Sequence, residues 1–224
     1  MTATITEDAV LLLLDPRTGR ALVDTMALDR MIGGALLLDL STRGRLESDG
    51  DGAKARLRVT DGTPTGDVLL DEALARLAGK PVRAQNAVER LAKRTRLPVL
   101  ERLVERGLIR CEKSSLLGLF PVTTWPPVDP RPRAELHDRI AAVLCGGAGP
   151  DRHTALLISL LHAVRAEHKI VEGPRRALRA RAEEVAAGDW AGPAVRKTVQ
   201  AVYASVMAAI SAATTAGTAA GGGG

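Results

Sequence analysis

From Ala21 to about Thr42 the apolar residues first recur at helical spacing and then become almost continuous. Leu22, Met26, Leu28, Met31 and Ile32 mark the periodic part, and Leu36, Leu37, Leu38 and Leu40 the continuous part. A helix that is apolar on most faces belongs in the centre of a domain, so other helices must cover it. Aromatic residues make up only 2% of the chain against 46% apolar residues, so the core is built from Leu, Val, Ile and Ala. That composition favours packed helices over a sheet sandwich, which would use more β-branched and aromatic side chains. A length of 224 residues fits one domain, or at most two.

The remaining pattern agrees. Glu7 to Leu14 reads as a short helix, closed by a turn at Asp15-Pro16-Arg17-Thr18-Gly19. Arg45 to Glu47 and Lys54 to Thr60 read as short strands, the second with Leu57 and Val59 alternating against Arg56, Arg58 and Thr60. Asp49-Gly50-Asp51-Gly52 supplies their turn. Thr63-Pro64-Thr65-Gly66 is a turn into a helix over Val68 to Ala78, with Asp67 as its N-cap and Asp71 and Glu72 near the positive end of its dipole. Asn86 to Arg94 is a further helix; Pro98 begins another, which Gly107 ends. Leu108 to Glu112 and Leu119 to Thr124 form the arms of a hairpin, and Pro126 to Pro132 is a rigid connector. Helices are then expected over Glu135–Leu144, Arg152–Arg165, Pro174–Ala186 and Val195–Ala212. The expectation is a mainly α fold with small β-hairpins, one domain over residues 1–214 and a disordered Gly-rich tail over 215–224.

The net charge of +5 and a pI near 9.7 admit an anionic partner without choosing between nucleic acid, an acidic membrane and an acidic protein. Six of the 31 basic residues are Lys, and with the excess of Ala and Gly this points to a GC-rich genome such as an actinobacterium's. Cys111 and Cys145 have neither metal-site spacing nor a disulfide framework, which suits a reducing cytosol. Met1 to Asp8 lacks the basic start of a signal peptide. The uncharged run Ala201 to Gly217 falls short of the roughly 20 residues a membrane span needs and reads as a core helix. Any membrane contact is therefore expected to be peripheral, on the cytosolic face.

The segment from Leu91 to Trp125 carries the chemistry. The hairpin tip, Ser114-Ser115-Leu116-Leu117-Gly118-Leu119-Phe120, holds three Leu and the chain's one Phe where turns normally carry polar residues. Either the tip folds back as core, or it stands out and enters a bilayer or a sister subunit. In the second case Leu116, Leu117, Leu119 and Phe120 are the inserting residues, each worth roughly 1.5–3 kcal/mol if fully buried. Beside it lies the basic run Lys93-Arg94-Thr95-Arg96, with Arg90 one turn earlier. Such a run is ordinarily a solvated face; next to an apolar protrusion it supplies the second of the two signals that stable peripheral attachment needs.

Other signals carry less. His137, His153, His162 and His168 have no ligand spacing and are read as surface or packing residues. Asp67 and Asp71, at i and i+4, could share a cation, but capping explains them. The loop Asp61 to Gly66 lacks the Lys of a Walker motif. No catalytic constellation is present, and no cofactor or metal is expected.

Three blocks stand in one order: Gly34-Ala35-Leu36-Leu37-Leu38-Asp39-Leu40 with Arg43-Gly44-Arg45-Leu46; Thr63-Pro64-Thr65-Gly66-Asp67-Val68-Leu69-Leu70-Asp71-Glu72-Ala73-Leu74; and Leu103-Val104-Glu105-Arg106-Gly107-Leu108-Ile109, followed by Glu112-Lys113 and Thr123-Thr124-Trp125-Pro126. In this the chain resembles the Golgi phosphoprotein 3 family of peripheral, phosphoinositide-binding proteins, from about Val10 to the final helix. The resemblance implies a helical bundle ringed by amphipathic helices, a protruding hairpin linked to membrane insertion and self-association, no enzymatic activity, and binding to cytosolic tails of membrane enzymes such as glycosyltransferases. It also implies a headgroup site at Lys93 and Arg96, completed at positions that here hold Asp24 and Gly33 in place of an aromatic and an Arg. A carboxylate repels phosphate and Gly33 lacks a guanidinium fork, so binding to anionic lipid survives these changes better than selection of phosphatidylinositol 4-phosphate. Arg30, one turn before Gly33, is the nearest replacement. Two other readings stay open: a winged-helix nucleic-acid binder, against which the apolar tip speaks, and a homo-oligomeric scaffold.

Overall fold

The computed structural model describes residues 3–50, 52–116, 120–187 and 196–208. Around a central helix, α2 (Thr25–Thr42), the chain winds α1 (Ile5–Leu13), α3 (Val68–Leu77), α4 (Ala84–Ala92), α5 (Arg96–Glu105), α6 (Arg131–Leu144), α7 (Arg152–Ala163), the single turn α8 (Glu167–Ile170), α9 (Arg175–Ala187) and a helical stretch over 196–208. Two antiparallel sheets are added. One orders β1 (Leu46–Asp49), β2 (Arg56–Val59) and β3 (Val82–Arg83); the other pairs β4 (Glu112–Leu116) with β5 (Phe120–Thr124). The fold is mainly α with small hairpins, as the sequence predicts.

All nine residues of α1 are buried, including Glu7 and Asp8. Buried charge must be paired, and each acid finds a distant partner: Arg106 donates to Glu7 at 2.6 Å and His153 lies 2.7 Å from Asp8. The start of α1 carries a capping box between Thr4 and Glu7 and is sealed a second time from α2. Asp39 accepts from the Ile5 and Thr6 amides at 3.0 Å each and from the Thr6 hydroxyl at 2.7 Å. Burial pushes the Asp39 carboxyl up, against the pull of those donors. At the other end Arg133 of α6 donates to the Leu12 and Leu14 carbonyls, both at 3.1 Å, satisfying groups the helix leaves open.

Helix α2 is buried from Met31 to Ser41. Its two glycines let neighbours come close. A Cβ on Gly33 would lie 2.6 Å from the Val88 carbonyl oxygen in the backbone of α4. One on Gly34 would meet Val206 and Val202 at 2.9 and 3.1 Å, so the 196–208 stretch crosses α2 there. Ala201, Val202 and Val206 are buried, which fits a core helix; residues 209–224, including the rest of that run and the Gly-rich tail, lie outside the described residues. Gly33→Ala is expected to cost about 1–3 kcal/mol, because a rigid backbone rather than a side chain must yield, and urea unfolding measures this.

Several details differ from the sequence reading, and one is that α6 begins at Arg131, inside the stretch expected to be a connector, because Pro132 is tolerated in a first helical turn. The first hairpin arm starts at Glu112, not Leu108, because Ile109 is drawn into the core and bridges to Pro127. Ser114 and Ser115 are therefore paired strand residues, opposite Val122 and Pro121. Pro98 is the third residue of α5, which starts at Arg96. Strand β3, two residues long, is too short to show alternation in the sequence.

Candidate functional site

The basic junction between α4 and α5 is fixed from α3. Arg76 donates to the Lys93 carbonyl at 2.9 Å and to the Thr95 hydroxyl at 3.1 Å, and Thr95 in turn donates back to the Leu91 carbonyl. Held this way, the chain turns through Arg94 in the left-handed region, φ 61°, a conformation that disfavours a residue with a Cβ. Lys93 and Arg94 are exposed. Arg96 opens α5 and lies 3.3 Å from Asp29 of α2, half-buried.

The other two expected headgroup residues stand differently. Arg30 donates through Nε to Glu89 at 2.7 Å, its side chain only 13% exposed, so its charge is answered inside the protein. Arg90 donates to the Arg76 carbonyl at 3.0 Å and lines a separate recess beside β2 and β3. Asp24 is the N-cap of α2, accepting from the Ala27 amide at 2.8 Å. Gly33 is buried against α4, so a side chain there would meet backbone before it met solvent. Lys93 and Arg94 thus stand exposed, Arg96 lies against Asp29, and Arg30 and Arg90 are bonded within the chain.

A groove of about 710 Å³ joins this junction to the base of the hairpin. Arg96, Leu97 and Glu101 of α5, Lys113 and Trp125 at the hairpin, and Arg20 and Thr25 are among the residues that line it. The hairpin base is stapled in place. The Trp125 amide donates to the Gly19 carbonyl at 2.9 Å, and a Cβ on Gly19, at φ 65°, would sit 2.2–2.6 Å from the Trp125 and Pro126 backbone. Two large apolar side chains stand in solvent here: Leu97 is 53% exposed, and Met26, next to the groove residue Thr25, is 50% exposed. Both were missed in the sequence: Met26 falls inside an amphipathic pattern and reads as core, and Leu97 stands before the Pro98 at which the helix was expected to begin. Leu116 and Phe120 pair as the last strand residues. Leu117 and Leu119, with the side chains of Leu116 and Phe120, lie outside the described residues.

The turn-and-helix block before α3 is a staple of a different kind. The Thr65 amide and hydroxyl donate to Asp71 at 2.6 and 2.7 Å, and Asp67 caps α3 by accepting from the Leu69 and Leu70 amides. Arg102 of α5 then grips Asp67 with a two-pronged fork, 2.6 and 2.8 Å, and places Nε 3.1 Å from Glu7. Burial works to raise the Asp67 carboxyl, but Arg102 and the two amides outweigh it and hold it below the usual carboxylate range. Asp67 is thus fully occupied, and among the described residues there is no group of three or more His, Cys, Asp or Glu suited to a metal ion. Arg102, Arg106 and Glu7 were missed in the sequence; the signal available was an acid inside an otherwise apolar helix. The histidines pack: His153 pairs with Asp8, and His162, bonded to Glu167, stacks on Tyr203 at 5.3 Å.

A family model described as Golgi phosphoprotein 3 (GPP34) matches residues 5–202. A curated relative, the vacuolar protein sorting-associated protein 74 of Eremothecium gossypii, is 27% identical over 164 residues, covering 64% of this chain and 49% of that protein. The chain thus spans about half the length of this relative. Among the described residues no helix is long and apolar enough to cross a membrane.

Proposed function

The chain belongs to the Golgi phosphoprotein 3 family, and from that premise we propose that it is a non-enzymatic peripheral membrane adaptor. It docks on an anionic, phosphoinositide-containing bilayer through Lys93, Arg94 and Arg96, inserts the hairpin tip at Leu116, Leu117, Leu119 and Phe120, and presents the rest of its surface to the cytosolic tails of membrane proteins. The observation that carries this reading is the groove shared by Arg96 and Leu97 with hairpin residues Lys113, Val122 and Thr123. It supports the reading by setting Arg96 and exposed Leu97 beside the base of the hairpin, and stable attachment draws on both a cationic and an apolar signal. With Asp24 spent on a helix cap, Gly33 enclosed and Arg30 paired to Glu89, the face reads charge density more than a particular headgroup.

Vesicle co-sedimentation tests it. Binding is expected to phosphatidylcholine vesicles doped with phosphatidylserine or phosphatidylinositol 4-phosphate at equal charge, and not to neutral vesicles. Replacing Leu116, Leu117, Leu119 and Phe120 with Ser should weaken binding at least about tenfold, since even partial burial of four such side chains exceeds 1.4 kcal/mol. Binding to neutral vesicles, or a silent tip variant, overturns the proposal. The winged-helix alternative would need α5 as a DNA-facing helix, yet Arg102 and Arg106 are each paired with a carboxylate of their own chain. Duplex binding at moderate salt without vesicle binding would reverse this ranking. Self-association through the tip is the third outcome, read by sedimentation velocity without lipid.

A further inference from the structure

Several arginines of the chain are answered by acids, Arg30, Arg45 and Arg102 among them. In the three-stranded sheet Arg58 lies opposite Glu47 and pairs with it at 2.8 Å. One position breaks the pattern. Arg56 of β2 stands directly opposite Arg83 of β3, both exposed, and like charges facing each other across antiparallel strands are destabilising. Asp49 flanks Arg56 from β1, but among the described residues no carboxylate forms an ion pair with Arg56, Lys80, Arg83 or Arg90.

These four cations converge. The turn after α3 passes through Gly79 at φ 101° and delivers Lys80; β3 follows and places Arg83; α4 begins at once, so that Asn86 and Arg90, four residues apart, share the same helix face. Arg56, Lys80, Arg83, Asn86 and Arg90 line one recess of about 410 Å³, and among the described residues no acid lines it. Two of the guanidinium groups are oriented by backbone carbonyls: Arg56 donates to Pro81 at 3.4 Å and Arg90 to Arg76 at 3.0 Å. Each contact uses one donor of a five-donor fork and leaves the rest for a ligand.

We infer that this recess is a binding site for a small polyphosphorylated ligand of the inositol polyphosphate kind, separate from the α4–α5 face. Arginine forks bind phosphate oxygens in pairs, and a single phosphate would leave part of the cluster unanswered. The recess is of a size that takes a ring-sized molecule. Four cations gathered in one hollow, instead of strung along a track, suit a compact polyanion and not a nucleic-acid backbone. The ligand is a soluble inositol phosphate or the headgroup of a polyphosphoinositide, which share this chemistry.

The test uses the full chain and soluble inositol 1,4,5-trisphosphate, with no membrane present, so its outcome is independent of bilayer docking. Calorimetry should detect binding to the wild type and a loss of about 10–100-fold in the Arg56→Gln, Arg83→Gln double variant, the range for charge-assisted hydrogen bonds. Lys93→Ala with Arg96→Ala should leave that affinity unchanged. Without ligand, Arg83→Gln should raise the melting temperature by relieving the Arg56 repulsion, which a purely structural Arg83 would not allow. Vesicles containing phosphatidylinositol 4,5-bisphosphate identify the source. If Arg83→Gln weakens binding to these and spares phosphatidylserine vesicles of equal charge, the ligand is a lipid headgroup; if it spares both and still loses the soluble ligand, the ligand is soluble. Absence of trisphosphate binding by the wild type, equal affinity in the double variant, or a lower melting temperature for ligand-free Arg83→Gln overturns the inference.

Discussion

Replacing Arg102 with alanine is expected to cost about 3–5 kcal/mol, the range for removing one partner of a buried ion pair. For a domain of this size that lowers the melting temperature by roughly 10 °C. The reason is the environment left behind. Glu7 is fully buried and Asp67 is 6% exposed, and both lose the guanidinium between them; Arg106 still reaches Glu7, but Asp67 keeps only its two amide contacts and no cation. Lysine at this position should recover only part of the loss, because an ammonium cannot repeat the two-pronged contact. The pH dependence gives an independent reading. The folded Asp67 carboxyl is held below its ordinary value, so its contribution is fully present above the unfolded pKa and disappears as pH falls through the lower folded value. In the alanine variant only the Leu69 and Leu70 amides are left to oppose burial, so ionised Asp67 contributes less to folding. Urea melts should therefore show the gap between the two proteins wide at neutral pH and narrowing below about pH 4.

Reversing two charges at the α4–α5 junction, Lys93→Glu with Arg94→Glu, is expected to weaken binding to anionic vesicles about 1000-fold while leaving the fold intact. Each basic side chain near an acidic leaflet is worth about 1 kcal/mol, and reversal both removes that attraction and adds a comparable repulsion. Two positions together give about 4 kcal/mol. Lys93 and Arg94 are exposed, so stability should stay within about 0.5 kcal/mol of wild type. Arg96→Ala should have a smaller effect on binding, since part of its charge is already answered by Asp29. Raising the ionic strength should reproduce the reversal progressively in the wild type, because exposed charges are screened. Vesicle binding that ignores both the reversal and the salt would place the docking surface elsewhere on the molecule.

What could be read from the sequence was local. The central helix declared itself because the helical spacing from Leu22 to Ile32 runs on into Leu36, Leu37, Leu38 and Leu40, a stretch too long for one strand. Asp67 declared itself as a cap because capping is settled within three residues. The identity of Arg102 as its partner, 35 positions away, left no trace that periodicity could find. The same holds for Glu89, which neutralises Arg30 across 59 positions. A cation's spacing shows that it is charged; only the fold shows whether that charge is free. Gly33 is the sharpest instance. As a letter it marks a missing phosphate ligand, whereas in three dimensions it is the place where two helix backbones nearly touch. The hairpin register failed for a related reason: Leu108 and Ile109 have strand character, but the core claims Ile109 first.

The first helix has a consequence for biosynthesis. Its acidic groups and amino end are satisfied by Asp39, Arg102, Arg106 and His153, all downstream. A growing chain leaving the ribosome therefore exposes this greasy segment early and can dock it for good only after α7 has emerged. Helix α1 is therefore secured late, and a stalled or truncated translation product ending before α7 would hold it out in water, ready for a chaperone or for aggregation.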